Sequence, residues 1–341
     1  MNCAGNGKDE TVHYSYSITQ DEATGWHIVE LTAGRSGDPA STISVKVSPE
    51  AGSNMFSLVA GGHELIDATD DLASLPSGGR GNFLLYPTPN RVRDGEFSFM
   101  GKTYSMLKPG EKKHNRLHGI VRDDPAWTFD EPEVRADGVY LRTRYVIDES
   151  NPRFALFPFP NVLTMEFAVM ADRARVTYRV ENTGGTPLGF GFGLHPYWKA
   201  IGSKADTRIL VDLPYHMEAT PDLLPTGKLE AVAGTEYDLS EPTPVAGLKL
   251  DDVYYGATPE SDVAVFFDTI GLKMIQRATA DFTHVVVYTP DHDYFCVENQ
   301  TCSTDAHNLH AKGLEKEAHL QVLEPGQTAE GHVDYILSWE K

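Results

Sequence analysis

Apolar and polar residues alternate along much of this chain. Val12, Tyr14, Tyr16 and Ile18 are interleaved with His13, Ser15, Ser17 and Thr19, and Ile43, Val45 and Val47 with Ser44 and Lys46. Val176, Tyr178 and Val180 repeat the pattern, and Val333, Tyr335, Leu337 and Trp339 carry it to the end of the chain. A period of two puts successive side chains on opposite faces of a β-strand, so each run predicts a strand with one face turned inward. The β-branched and aromatic runs LRTRYVI, LTMEFAV, VAVFF and HVVVYT, each bounded by Gly, Pro, Asp or Asn, predict further strands. No window of a dozen residues keeps a 3.6-residue period between cap signals; the nearest, HELIDATDDLASL, is short and rich in Ser and Asp.

No low-complexity linker divides the chain, and large all-β folds commonly run as one unit. The pattern therefore predicts an all-β protein. A flexible segment at residues 1–10 leads into a single large antiparallel β-sandwich over 11–341, with few short helices. Two long Pro-rich stretches, NPRFALFPFPN and LPYHMEATPDLLPTGKLEAVAGTEYDLSEPTP, are expected to be loops at the rim of a cleft.

Composition narrows the partners. With 49 acidic against 29 basic residues the formal charge is −20, which disfavours nucleic acid and anionic membrane surfaces. No stretch approaches the roughly 18 consecutive apolar residues of a membrane span, and the opening MNCAGNGKDE has no apolar signal core. Three cysteines, Cys3, Cys296 and Cys302, are too few for a disulfide framework at this size. That points to a reducing, cytoplasmic setting; the alternative is an exported protein anchored through Cys3. A monomer or dimer is expected.

Three segments carry candidate chemistry. In the first, YPTPNRVRDGEFSFMGKTYSM and HNRLHGIVRDDPAW, the residues Arg91, His118, Arg122 and Trp127 fall in turn-rich stretches. Charged donors beside an indole suit a sugar, which has hydroxyls and a C–H face; the competing reading makes Trp127 core and the arginines solvated. In the second, GFGFGLHPYWKA, alternating Gly and Phe lets a backbone approach closely on one face, and His195 stands where the strand meets an aromatic loop. The third, HVVVYTPDHDYFCVENQTCSTDAHN, ends an apolar strand in Glu298, whose burial would make it a usable base. Cys296, Cys302, His307 and His310 do not have a usual zinc spacing, so no metal is expected.

Taken in order, PNRV with GKTY, LHG with Trp127 after it, FGLHPYW, the LDDVY stretch at 250–254, and YTPDHDYFCVENQT followed by LEPGQTAEGHVDYIL resemble the aldose 1-epimerase (galactose mutarotase-like) family over residues 80–340. The resemblance implies a large antiparallel β-sandwich, no cofactor, and interconversion of the α and β anomers of a monosaccharide. Residue by residue it makes His195 the general acid on the ring oxygen and Glu298 the general base on the C1 hydroxyl. It makes His118, Arg91 and Asp251 substrate-binding, with Asp252 as the alternative to Asp251. Ring opening needs only one base and one acid, so an ionised Glu298 and a protonated His195 supported by a nearby carboxylate are expected.

The sequence departs from that family where LHGI replaces LHGG and where Arg122 follows four residues after His118, an arrangement closer to relatives acting on phosphorylated or sulfonated sugars. Lys112, Lys113 and Arg116 add local positive charge, while Asp123 and Asp124 could neutralise Arg122. A neutral hexose such as galactose or glucose is therefore expected, with an anionic hexose as the alternative. A non-catalytic sugar-binding module would not need Glu298 and His195 together. A glycoside hydrolase using Asp251 and Glu298 would leave His195 idle.

Overall fold

The computed structural model describes residues 11–340; the expected flexible segment 1–10 and Cys3 lie outside them. Three antiparallel sheets of five, ten and eight strands form the body of the molecule. The strands expected from alternation form at Val12–Gln20, Asp38–Ser48, Arg173–Asn182 and Thr328–Trp339, and the apolar runs fold as Gly138–Ile147, Asn161–Val169, Val263–Phe267 and His284–Tyr288.

The ten-stranded sheet shows why the pattern is so regular. Leu163, Met165, Phe167 and Val169 are buried in the main core with Val176, Tyr178 and Val180. On its other face Arg142 pairs with Glu166 at 3.0 Å and stays in solvent. One side packs and the other is wet, so the side chains must alternate. Against the core side lie the five-stranded sheet, with Val29, Leu31, Val45 and Val47, and the eight-stranded sheet, with Leu84, Leu194, Val285, Val287, Phe295 and Val297. These two sheets meet where Asn54 Oδ1 accepts from the Asn82 backbone N–H at 3.0 Å and where Ile66 bridges to Trp198.

As the sequence implies, the segment HELIDATDDLASL forms no α-helix; it contains the short strand His63–Glu64 and enters a 3₁₀ turn at Leu72–Ser77. Three local expectations are corrected. The supposed loop beginning LPYHMEA holds the strands Tyr215–Ala219, Pro225–Ala231 and Leu239–Pro244. The segment NPRFALFPFPN turns inward, burying Phe157 and Phe159 against Phe97. Neither stretch lines the cleft described below. Two short helices, Ala306–Ala311 and Glu315–Ala318, fill the stretch after Glu298 that reads as polar loop.

Candidate active site

Register in the eight-stranded sheet gathers the candidate residues. Asp251 pairs with Tyr288, Tyr288 with Cys296, Val286 with Glu298, and His195 with Phe83. Paired residues in an antiparallel ladder point to the same side. Asp251, Val286, Tyr288, Cys296, Glu298, His195 and Phe83 therefore share one face, while their neighbours Leu84, Leu194, Val285, Val287, Phe295 and Val297 point into the main core. On the outward face lies an open cleft of about 160 Å³ lined by Asn90, Arg91, Leu117, His118, His195, Tyr197, Asp251, Val286, Tyr288 and Glu298.

At its floor His195 Nε2 stands 3.2 Å from Glu298 Oε1. The two residues are only 4% and 2% exposed. The imidazole is gripped by stacking: Phe83 lies against it at 4.6 Å and Tyr197 at 4.8 Å. Gln300, two residues beyond Glu298 and so on the same strand face, donates from Nε2 to Glu298 Oε2 at 3.0 Å, leaving Oε1 directed at the histidine.

The walls come from loops. Arg91 Nη2 donates to Asp251 Oδ2 at 3.4 Å and Nη1 to Asn90 Oδ1 at 2.9 Å. Leu117 pairs with Arg91, and the His118 N–H donates to the Asn90 carbonyl at 2.8 Å. The turn then requires a glycine. Gly119 has φ of +66°, and a Cβ there would run into the Tyr86 carbonyl, which accepts the Ile120 N–H at 2.9 Å. Arg116 clamps the same turn, donating to Gly119 O at 3.2 Å. His118 emerges with its ring edge-on to His195 at 5.0 Å.

The protonation pattern differs from the one expected. Burial, aided by the charge of Arg122, pushes His195 down to about 3. Burial, then the nearby Asp251 carboxylate, raises Glu298 well above the usual carboxylate range. A dry site resists separated charge, so burial favours a proton on Glu298 and a neutral His195. His118 is held neutral too, mainly by burial and then by His195, Arg122 and Arg91. Burial also raises Asp251, against the opposing pull of Arg91.

Other candidates sort out by position. Asp252 turns away from the cleft to bond His216 Nε2 at 2.9 Å, so strand alternation resolves the Asp251–Asp252 ambiguity. Trp127 is core and not a sugar platform: it is buried against Tyr145, and its indole N–H donates to Val121 O at 3.2 Å. Arg122 is not among the cleft-lining residues; its guanidinium lies over the Phe83 ring at 5.3 Å and donates to Ser77 O at 3.3 Å. Asp123 and Asp124 make their ion pairs with Arg153 and none with Arg122, although the Asp123 charge partly offsets the effect of burial on the guanidinium. Lys113 is occupied by Glu96 at 2.8 Å.

The cysteine–histidine set considered for zinc is split. Cys296 packs with Phe83, Leu85 and Tyr197, whereas Cys302 packs with Ala306, Leu309 and Ala318, and His307 Nε2 bonds Gly189 O at 2.9 Å. Sequence reasoning missed Tyr197, Gln300, Phe83 and Tyr288. The two-residue spacing from His195 to Tyr197 and from Glu298 to Gln300 was the available signal for two of them.

Comparison with known proteins bears on the family and the fold. A family model described as aldose 1-epimerase matches residues 40–335. Human galactose mutarotase is 26% identical over 171 residues, covering 48% of this chain and 46% of that protein. The match thus spans about half the length of that relative. A galactose mutarotase-like protein from Clostridium acetobutylicum superposes with a TM-score of 0.82 at 17% identity, over 96% of this chain and 99% of that one. Galactose 1-epimerase from Lactobacillus acidophilus does so with a TM-score of 0.72 at 16% identity, over 97% and 99%.

Proposed function

The chain belongs to the aldose 1-epimerase family, and from that premise we propose that it is an isomerase that interconverts the α and β anomers of a free hexose by acid–base ring opening. The observation that carries the proposal is the buried His195–Glu298 contact of 3.2 Å at the floor of a sugar-sized cleft.

Ring opening removes a proton from the C1 hydroxyl and delivers one to the ring oxygen, and both oxygens are bonded to the same carbon. Glu298 takes the first proton and His195 gives the second. The opened state therefore has a protonated Glu298 and a neutral His195, which is the distribution that burial favours. The dry pocket thus disfavours the charged pair facing the closed ring and drives the proton transfer forward. Before opening, the direct Nε2–Oε1 contact lets the proton resting on Glu298 pass to His195, which makes the base and the acid that the step needs. Rotation about C1–C2 and the reverse transfers close the ring in the other configuration. Arg91, Asp251 and His118 hold the remaining hydroxyls, and positioning suffices for a reaction that water itself supports slowly.

The pH dependence follows from the same shifts. Because His195 is depressed to about 3, the pair takes up a second proton only on approaching that pH. Lowering the pH from about 7.5 to about 5.5 should therefore leave kcat/KM level, without the inflection near about 6.5 of an ordinary histidine. A pH series of polarimetric mutarotation rates checks this. An acid limb centred between about 6 and 7 would overturn it.

A neutral hexose is favoured because Arg122 does not line the cleft. A hexose phosphate or sulfonate is the second reading, since among the described residues Arg122 has no carboxylate within ion-pair distance while Asp123 and Asp124 face Arg153. NMR exchange spectroscopy on equilibrated glucose, galactose and glucose 6-phosphate separates them. Exchange with the neutral sugars, unchanged in Arg122→Gln, is the expected result. Exchange with the phosphorylated sugar alone would install the second reading. Silence with all three would leave a sugar-binding module.

A further inference from the structure

We propose that His195, Cys296 and Glu298 also form a site for a thiophilic divalent ion of the zinc class, and that such an ion, once bound, shuts the cleft to ring opening. Each residue offers one ligand atom, and these atoms lie within 4.8 Å of one another. Among the described residues this is the one group of three or more His, Cys, Asp or Glu ligand atoms so gathered. The arrangement follows from the fold: Cys296 precedes Glu298 by two residues and shares its strand face, and His195 stands on the next strand of the same sheet. Strands hold ligands more tightly than loops.

The donor set is a nitrogen, a sulfur and a carboxylate oxygen, which suits zinc and its heavier congeners and not magnesium or calcium. With bonds of about 2.0–2.1 Å to nitrogen and oxygen, neighbouring ligands of a tetrahedral zinc stand roughly 3.3 Å apart. The His195–Glu298 separation of 3.2 Å already fits that edge. Gln300 holds the far oxygen of Glu298 and so presents Oε1, the kind of support that metal-ligating carboxylates receive from their neighbours. The ion displaces the thiol proton and the proton shared by the acid–base pair, and a dication with one thiolate and one carboxylate leaves the buried site without net charge. Because His195 and Glu298 also line the cleft, an ion held by them ties up the acid–base pair.

Metal binding stands on these ligands alone; inhibition also rests on the mutarotase reading. The test uses the full chain and two readouts. Cd²⁺ is titrated while the ultraviolet thiolate-to-metal charge-transfer band is recorded, and Zn²⁺ is added to anomer-exchange assays with and without a chelator. We expect one Cd²⁺ per chain with a thiolate band that Cys296→Ala removes. We also expect Zn²⁺ to suppress exchange reversibly, and Cys296→Ala to keep its basal rate while needing at least about tenfold more Zn²⁺ for the same inhibition, the low end of what losing support at a metal site costs. Cys296→Ser serves the same purpose if the alanine variant does not fold. A band that persists in the Cys296 variants, or no band at all, overturns the site. Full exchange with the ion bound overturns the blocking role. A protein that binds Cd²⁺ through Cys296 but never exchanges anomers keeps the metal site and refutes the enzymatic reading instead.

Discussion

Glu298→Gln should lower the rate of anomer exchange by at least about a hundredfold, the lower end of what a positioned acid or base contributes, and leave the protein as stable as before or more so. The amide keeps the shape of the carboxyl and can still accept from Gln300 Nε2, which now donates to Glu298 Oε2 at 3.0 Å. It also relieves the site of a group whose ionisation burial opposes. Stability and activity should therefore part company, as they do where a site is kept polar for chemistry and not for packing. His195→Asn should cost a similar factor, and the double variant little more than either single one, because the two residues move one proton between them and act as a unit. NMR exchange rates with thermal melts on the same samples read both properties. Near-normal exchange in either variant would remove these residues from the chemistry.

Gly119→Ala should be among the most damaging changes outside the acid–base pair. Gly119 sits at φ +66° with the Tyr86 carbonyl where a Cβ would go. Alanine must pay roughly 1–2 kcal/mol for the left-handed backbone and about 1–3 kcal/mol more for crowding in a packed turn. Gly101 is the control, because it has φ of +73° with nothing within 4 Å of a Cβ. Gly101→Ala should lose only the backbone part. Urea midpoints of the two variants should therefore differ, and Gly119→Ala should also raise KM by moving His118 off the cleft wall. Equal losses in the two variants would mean that the contact with Tyr86 carries no weight.

The all-β architecture was legible in the sequence because most strands lie in sheets with one packed face, so their side chains had to alternate. It was illegible at Tyr215–Ala219, Pro225–Ala231 and Leu239–Pro244, where two of the three strands are the last of their sheets. Such edges are half wet and tolerate Pro and Gly, which erases the pattern. The two helices after Glu298 are too short to display a 3.6-residue period. Within the site, Glu298 and His195 were conspicuous as polar residues closing apolar runs, although the strand of Glu298 in fact continues to Gln300. Phe83 could not be found that way, because it reaches His195 only through a ladder pairing between segments more than a hundred residues apart. Trp127 misled for the opposite reason: a Trp in a loop-like stretch reads the same whether it faces a sugar or, as here, the core.

The eight-stranded sheet, with the core behind it and the cleft in front, acts as a partition between two kinds of selection. Along Tyr294–Gln300, Phe295 and Val297 answer to packing in the main core, whereas Glu298 lines the cleft and Gln300 holds it in place. Substrate preference can drift through one set of alternate positions while the other keeps the molecule folded. A lineage on this scaffold can therefore explore new sugars without first acquiring a reserve of stability.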